Sequence, residues 1–198
     1  AKIFSDIGWQ CKVIEGGYKA YRKTVLAGLD QLPGQFQLIV LSGATGTAKT
    51  HILRAAAELG AQVLDLEKLA NHRGSLLGSE PSSPQPAQRL FESYLAENLQ
   101  KFDMTRPVFI EAESNKVGQI HIPSALWASM RHACRVTITA PLAARVTFLK
   151  RDYKHIIEKN ENLMELLSTL RHRYSKEIFA NWREMISNQN WDGFVTDI

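Results

Sequence analysis

The residues best placed by type and order to do chemistry are Gly43-Ala44-Thr45-Gly46-Thr47-Ala48-Lys49-Thr50. The pattern is G-x-x-x-x-G-K-[ST], with Ala48 standing where the second glycine belongs. A loop of small residues that runs into a helix turns successive backbone N–H groups and the helix N-terminus toward one concavity, where an anionic phosphate fits. Lys49 adds a point charge for the terminal phosphates, and Thr50 offers an oxygen ligand to Mg²⁺. Ala48 is the weak point of the match: it keeps its N–H, but its methyl resists a positive φ and can crowd a phosphate. A second group is Glu111 and Glu113, spaced by two at the end of an apolar run, so both point to one side of an extended chain. In proteins with such a loop, a strand ending in an acid supplies the group near Mg²⁺ or the attacking oxygen. The bland alternative is an acid paired to a neighbouring Lys or Arg. A third group, Leu69-Ala70-Asn71-His72-Arg73-Gly74-Ser75, is dense in polar side chains at the end of a short helix or turn.

These groups need elements to hold them. Leu38-Ile39-Val40-Leu41 reads as a buried strand feeding the loop, and His51 to Leu59 as the helix leaving it, stopped by Gly60. Gln62 to Leu66 is the next strand. Strand, helix and strand at this spacing predict a parallel βαβ unit covered by helices on both faces. Gly78 to Gln88 holds Pro81, Pro84 and Pro86 and must be a loop, of the length that serves as a lid or stays disordered. The spacing predicts a helix from about Pro86 to Phe102, with a stripe of Leu90, Phe91, Tyr94, Leu95 and Leu99. Pro107 to Ser114 is the third strand, Asn115 to Gly118 a turn, Pro123 to Met130 a helix with Leu126 and Trp127 inward, and Arg135 to Thr139 the fourth strand. Pro141 opens a helix over Leu142 to Tyr153 that carries Arg145 in its first turn. Residues 156–186 read as helical, with a basic run at Arg171, His172, Arg173 and Lys176 that suits a solvated face, a lid or a nucleic-acid backbone. Trp191 to Val195 reads as the start of a strand. Ahead of all this, Gln10 to Ile14 reads as a short strand and Tyr18 to Leu29 as a helix, and Pro33-Gly34 marks a boundary.

Over 198 residues, 44% are apolar and 22% charged, the make-up of a soluble globular protein with one main domain. No run reaches the ~18–20 apolar residues of a membrane span, and no signal peptide opens the chain. Cys11 and Cys134 are too far apart for a metal-ligand spacing and read as free thiols of the cytoplasm. A net charge of +4 permits a polyanionic partner without demanding one.

Taken together, the motifs resemble the P-loop half of bacterial and archaeal tRNA 2-selenouridine synthases. The resemblance is carried by Gly43–Thr50, Gln62–Glu67, Leu69–Ser75, Gln85-Pro86-Ala87-Gln88 with Phe91-Glu92, Arg106–Ser114, Val117-Gly118, Ile122-Pro123 with Leu126-Trp127, and Pro141–Val146. The loop alone is widespread; Ala-Asn-His-Arg-Gly-Ser followed by Glu-Ala-Glu-Ser is far more specific. The likeness runs from about residue 8 to residue 170. Gly8-Trp9 and Gly16-Gly17-Tyr18-Lys19-Ala20-Tyr21-Arg22 are similar to the end of the rhodanese-like domain that precedes the P-loop domain in this family. On that basis residues 1–32 are expected to be a remnant of it and residues 33–198 the P-loop domain with C-terminal helices. The family's catalytic cysteine would lie upstream of residue 1, so Cys11 is expected to be a packed strand residue.

The resemblance implies an α/β fold of the P-loop NTPase-like kind, with a mostly parallel sheet, helices on both faces and a helical C-terminal region. It also implies a tRNA-modifying transferase that converts wobble 2-thiouridine to 2-selenouridine through S-geranyl-2-thiouridine. Geranyl diphosphate and selenophosphate would be cosubstrates, Mg²⁺ the metal, and tRNA and the rhodanese-like domain the partners. Lys49, Glu111, Glu113 and Arg73 would carry the chemistry, Arg73 as a phosphate fork. Gly43, Ala44, Thr45, Gly46, Thr47, Ala48, Lys49, Thr50, Asn71, His72, Ser75 and Arg145 would bind the cosubstrate, with Thr50 on Mg²⁺. An ATP-dependent small-molecule kinase and a non-catalytic nucleotide- or tRNA-binding module are the alternatives.

Overall fold

In a computed structural model, the described residues are 2–73, 83–112, 114–154, 163, 167, 168 and 174–197. Four strands form one parallel sheet in the order β2-β3-β1-β6: β1 (Leu38–Ser42), β2 (Gln62–Leu64), β3 (Val108–Glu111) and β6 (Cys134–Thr137). Val40 lies opposite Ile110 on one side and Arg135 on the other, and Val63 lies opposite Phe109. The chain leaves β1 through α3 (Lys49–Glu58) and passes over β3 to reach β2. It then reverses direction along the sheet, through α4 (Leu66–Ala70) and α5 (Gln88–Lys101) to β3, and through α6 (Ser124–His132) to β6. Because such crossovers are right-handed, the reversal puts α3 on one face and α5 and α6 on the other. It also gathers the C-terminal ends of β1, β2 and β3, where Ser42, Leu64 and Glu111 hand the chain to loops, along a single rim. The expected α/β fold with a parallel sheet is the fold observed.

The main core lies on the α5–α6 face, where Leu38, Val40, Leu64, Val108 and Ile110 pack against Phe91, Leu95, Leu99, Leu126 and Met130. Alternate strand residues thus reach one helical layer, as period-two side chains must. The helix α2 (Gly17–Gln31) joins this layer: Val25 and Leu29 are buried in the same core, and Arg22 forms an ion pair with Glu92 of α5. A small antiparallel hairpin, β4 (Lys116–Val117) and β5 (Ile120–His121), is held by two glutamines. Gln85 donates to the carbonyls of Ala70 (3.1 Å) and Val117 (3.0 Å), and Gln88 accepts the His121 N–H at 2.9 Å. After β6 come α7 (Leu142–Asp152), α8 (Lys176–Ser187) and α9 (Trp191–Asp197); α1 is Lys2–Asp6. Leu163, Leu167, Trp182, Ile186 and Phe194 form a second, smaller core. No helix among the described residues is long and apolar enough to cross a membrane.

Several expectations need correction. Gln10 to Ile14 is not a strand and Cys11 is exposed; no described neighbour pairs with this stretch, and a lone strand leaves its backbone groups unsatisfied. The α5 stripe is rotated, because Leu90 and Tyr94 are exposed while Phe91, Leu95, Ala96 and Leu99 are buried. The turn over residues 115–118 is the first half of the β4–β5 hairpin, with the bend at Gly118-Gln119. Trp127 is only half-buried beside the buried Leu126. The helical stretch to residue 186 is interrupted at Tyr174-Ser175, where Ser175 Oγ caps α8 by accepting the Ile178 N–H. Trp191 to Val195 is helix rather than strand: Trp191, Phe194 and Val195 recur at helical spacing and pack into the second core.

Candidate functional site

The loop after β1 is shaped by three positive backbone angles: Gly43 (φ 152°), Gly46 (φ 84°) and Ala48 (φ 61°). The glycines are also sterically required. A Cβ on Gly43 would lie 2.5 Å from the Ile138 carbonyl oxygen, and one on Gly46 would lie 2.9 Å from Leu149 Cγ. Thr47 pins the turn by donating both its N–H (3.2 Å) and its hydroxyl (2.8 Å) to the Ala44 carbonyl. Ala48 sits at the cap of α3 in the left-handed region, where a Cβ costs about 1–2 kcal/mol. Ala48→Gly is therefore expected to raise stability by about 1 kcal/mol, the relief of strain being partly offset by glycine's added chain entropy. Urea denaturation of the two proteins checks it.

The N–H groups of Gly46, Ala48, Lys49 and Thr50 donate to no carbonyl of the described backbone. Those of Lys49 and Thr50 belong to the first turn of α3, which has no internal acceptors for them. Lys49 reaches back over the loop, its Nζ donating to the Gly43 carbonyl at 2.8 Å. Thr50 donates its hydroxyl to Glu67 Oε2 at 2.8 Å, and the Glu67 N–H donates to Glu111 Oε1 at 2.8 Å. Asp65 caps α4 by accepting the Lys68 N–H at 2.7 Å, and Arg54 pairs with its other oxygen at 3.2 Å. Three carboxylates thus meet at the rim. Burial pushes the Glu111 carboxyl up to about 8, and the Asp65 charge adds to the shift. Burial also raises Glu67, against the lowering effect of the Thr50 hydrogen bond. The resulting cavity, about 530 Å³, is lined by the loop, by Glu67 and Glu111, and by His51, Phe148, Leu149 and Tyr153.

Residues 36–189 match the family model described as the tRNA 2-selenouridine synthase AAA domain. The chain belongs to this family. Proteins named tRNA 2-selenouridine synthase are similar to it. The one from Nitrosomonas europaea is 36% identical over 151 residues, 75% of this chain and 39% of that protein. The one from Shewanella frigidimarina is 36% identical over 150 residues (75% and 40%), and the one from Alcanivorax borkumensis 35% over 150 residues (75% and 40%). The chain therefore spans about 40% of the length of these relatives. No solved structure matches it.

Within this selenouridine synthase domain, the polar stretch after α4 lies beside the cavity. Asn71, in the left-handed region (φ 49°), ends α4 and donates to the carbonyls of Ser83 (2.9 Å) and Pro84 (3.2 Å). His72 is buried and lines the cavity. Arg73 also lines it, held by the Asp152 carbonyl (3.0 Å) and carboxylate (3.3 Å) and lying 5.7 Å over the Tyr153 ring. Arg145 holds the loop with its side chain, Nε donating to the Thr45 carbonyl at 2.8 Å. Ser75 and Glu113, and Arg171 to Arg173 of the basic run, lie outside the described residues. Sequence reasoning did not pick out Glu67, Asp65, Arg54 or Phe148. A signal for the acids was present, since Asp65-Leu66-Glu67 directly follows β2 at the strand ends where open parallel sheets place their ligands.

The residues present fit magnesium. Glu111 Oε2 is buried without a hydrogen-bond partner among the described residues, and mutual repulsion among the acids is what a dication offsets. No cluster of three His, Cys, Asp or Glu side chains forms a metal cage among the described residues. Thr50 would bind directly and the acids through water, with phosphate oxygens completing the shell, which is how Mg²⁺ is usually held.

Proposed function

We propose that this chain is the phosphate-binding part of an enzyme that converts wobble 2-thiouridine of tRNA to 2-selenouridine by way of S-geranyl-2-thiouridine. The observation that carries the reading is one cavity lined both by Lys49 and the phosphate loop and by the apolar and aromatic side chains of Phe148, Leu149 and Tyr153. A diphosphate with a hydrocarbon tail has that polarity. In the first step the 2-thio sulfur attacks the allylic carbon, the carbon–oxygen bond breaks, inorganic diphosphate leaves, and the base gives up its N3 proton to solvent. Lys49 and the loop N–H groups stabilise the charge that grows on the leaving group, an electrostatic contribution made before the bond breaks. Arg73 adds a guanidinium fork on the same cavity. Thr50 would hold a magnesium ion, with Glu111 or Glu113 acting through water, and the ion would add to the neutralisation of the leaving group. Selenophosphate, also a phosphate anion, is the selenium donor of the second step. A rhodanese-like domain with its cysteine completes the enzyme, tRNA is the partner, and the cytoplasm is the site of action.

The acids lining the cavity also suit phosphoryl transfer, so an ATP-dependent kinase is the second reading. Calorimetric titration of geranyl diphosphate, ATP and GTP, each with Mg²⁺, separates the two. Geranyl diphosphate is expected to bind tightest; ATP winning by tenfold or more, about 1.4 kcal/mol, would overturn the proposal.

A further inference from the structure

We infer that Glu67 is the positioning residue of the phosphate site: its carboxylate orients the Thr50 hydroxyl, and Glu111 holds Glu67 in place rather than meeting Thr50 itself. Thr50 gives its one hydroxyl proton to Glu67 Oε2 at 2.8 Å, which leaves the oxygen lone pairs for a cation or a water on the cavity side. Glu67 sits in the first turn of α4, where a backbone N–H has no intrahelical acceptor. Glu111 Oε1 supplies that acceptor at 2.8 Å. The Asp65 cap fixes the same turn from its other end. The acid at the end of β3 therefore acts through the elbow after β2. Glu67 and Glu111 are both cavity residues, so the pair is at the ligand surface and not merely in the frame beneath it.

The hydrogen bond stands by itself, but its consequence for ligands rests on reading the loop as a diphosphate site. The test is calorimetry with inorganic diphosphate, with and without Mg²⁺, on the full chain carrying Thr50→Ala, Glu67→Ala, Glu67→Gln or both alanine substitutions. Glu67→Ala is expected to weaken binding in Mg²⁺ about tenfold, or roughly 1.4 kcal/mol, and to leave Mg²⁺-free binding within about twofold. Glu67→Gln, whose amide oxygen still accepts the Thr50 proton, should recover most of the loss. The double variant should be no weaker than Thr50→Ala alone. Unchanged binding in Glu67→Ala, additive losses, or equal losses with and without Mg²⁺ would each overturn the inference. If the wild-type chain binds no diphosphate, the proposed function fails instead. A urea-denaturation cycle between the Thr50 and Glu67 variants then decides the inference: non-additive changes support it and additive ones overturn it.

Discussion

Lys49→Ala is expected to weaken diphosphate binding about 100-fold, close to 2.7 kcal/mol, while leaving the fold intact. The size follows from where the charge sits. Lys49 is the first residue of α3, and its Nζ lies 2.8 Å from the Gly43 carbonyl at the start of the loop. The neutral N–H donors of the loop keep their place without it, since the loop is pinned by Thr47 on Ala44 and by Arg145 on Thr45. The loss is therefore one ammonium in a partly enclosed site. Lys49→Arg is not expected to restore binding, because a planar guanidinium is bulkier than the point charge this tight loop encloses. Titration with geranyl diphosphate and Mg²⁺ reads the effect, and thermal unfolding confirms that the variant is folded. A change of threefold or less would remove Lys49 from the phosphate site.

Glu111 gives the second large effect, on stability rather than binding. Its carboxyl titrates near 4.5 in the unfolded chain and is pushed up to about 8 in the fold. Below 4.5 both states are protonated and the residue costs nothing. Between 4.5 and 8 the unfolded chain releases the proton while the folded chain keeps it, so the unfolded state gains and stability falls as pH rises. Above 8 the full penalty is present. The pH dependence is thus opposite in sign to that of an ion-paired carboxylate, and its size is on the order of a few kcal/mol. Glu111→Gln cannot ionise and still accepts the Glu67 N–H. It is expected to flatten most of this slope and to be more stable than wild type at pH 8–9. Some slope remains from Glu67, which is shifted in the same direction. Urea denaturation from pH 5 to 9 checks it; parallel curves for the two proteins would contradict the buried-acid account.

What the sequence made legible is what short-range chemistry encodes. Gly43 and Gly46 announce the loop because only glycine fits against Ile138 and Leu149, and the apolar run before them has to be a central strand. The same applies to α6 and α7, each entered at a proline. Two of the misreadings share one physical origin. Gln10–Ile14 and Trp191–Val195 carry β-branched and aromatic residues, but strand formation depends on a neighbour to pair with, and packing decided otherwise. Glu67 escaped notice for a related reason. The Asp65 cap turns the chain into α4 immediately after β2, and only the β2–β3 register brings a backbone N–H 44 positions away onto Glu111. No periodicity within one segment contains that contact.

The position of α2 bears on where this protein can be cut. The family match begins at residue 36, yet Val25 and Leu29 are buried in the main core and Arg22 is paired with Glu92. A version trimmed to the matched segment would uncover the faces of α5 and α6 that α2 now shields. Removing Val25 and Leu29 alone would forfeit about 1.5–3 kcal/mol each, a large share of a small domain's margin, and would expose an apolar strip able to recruit other molecules. The folding boundary and the start of the family match are different lines in this chain, and expression work has to respect the first.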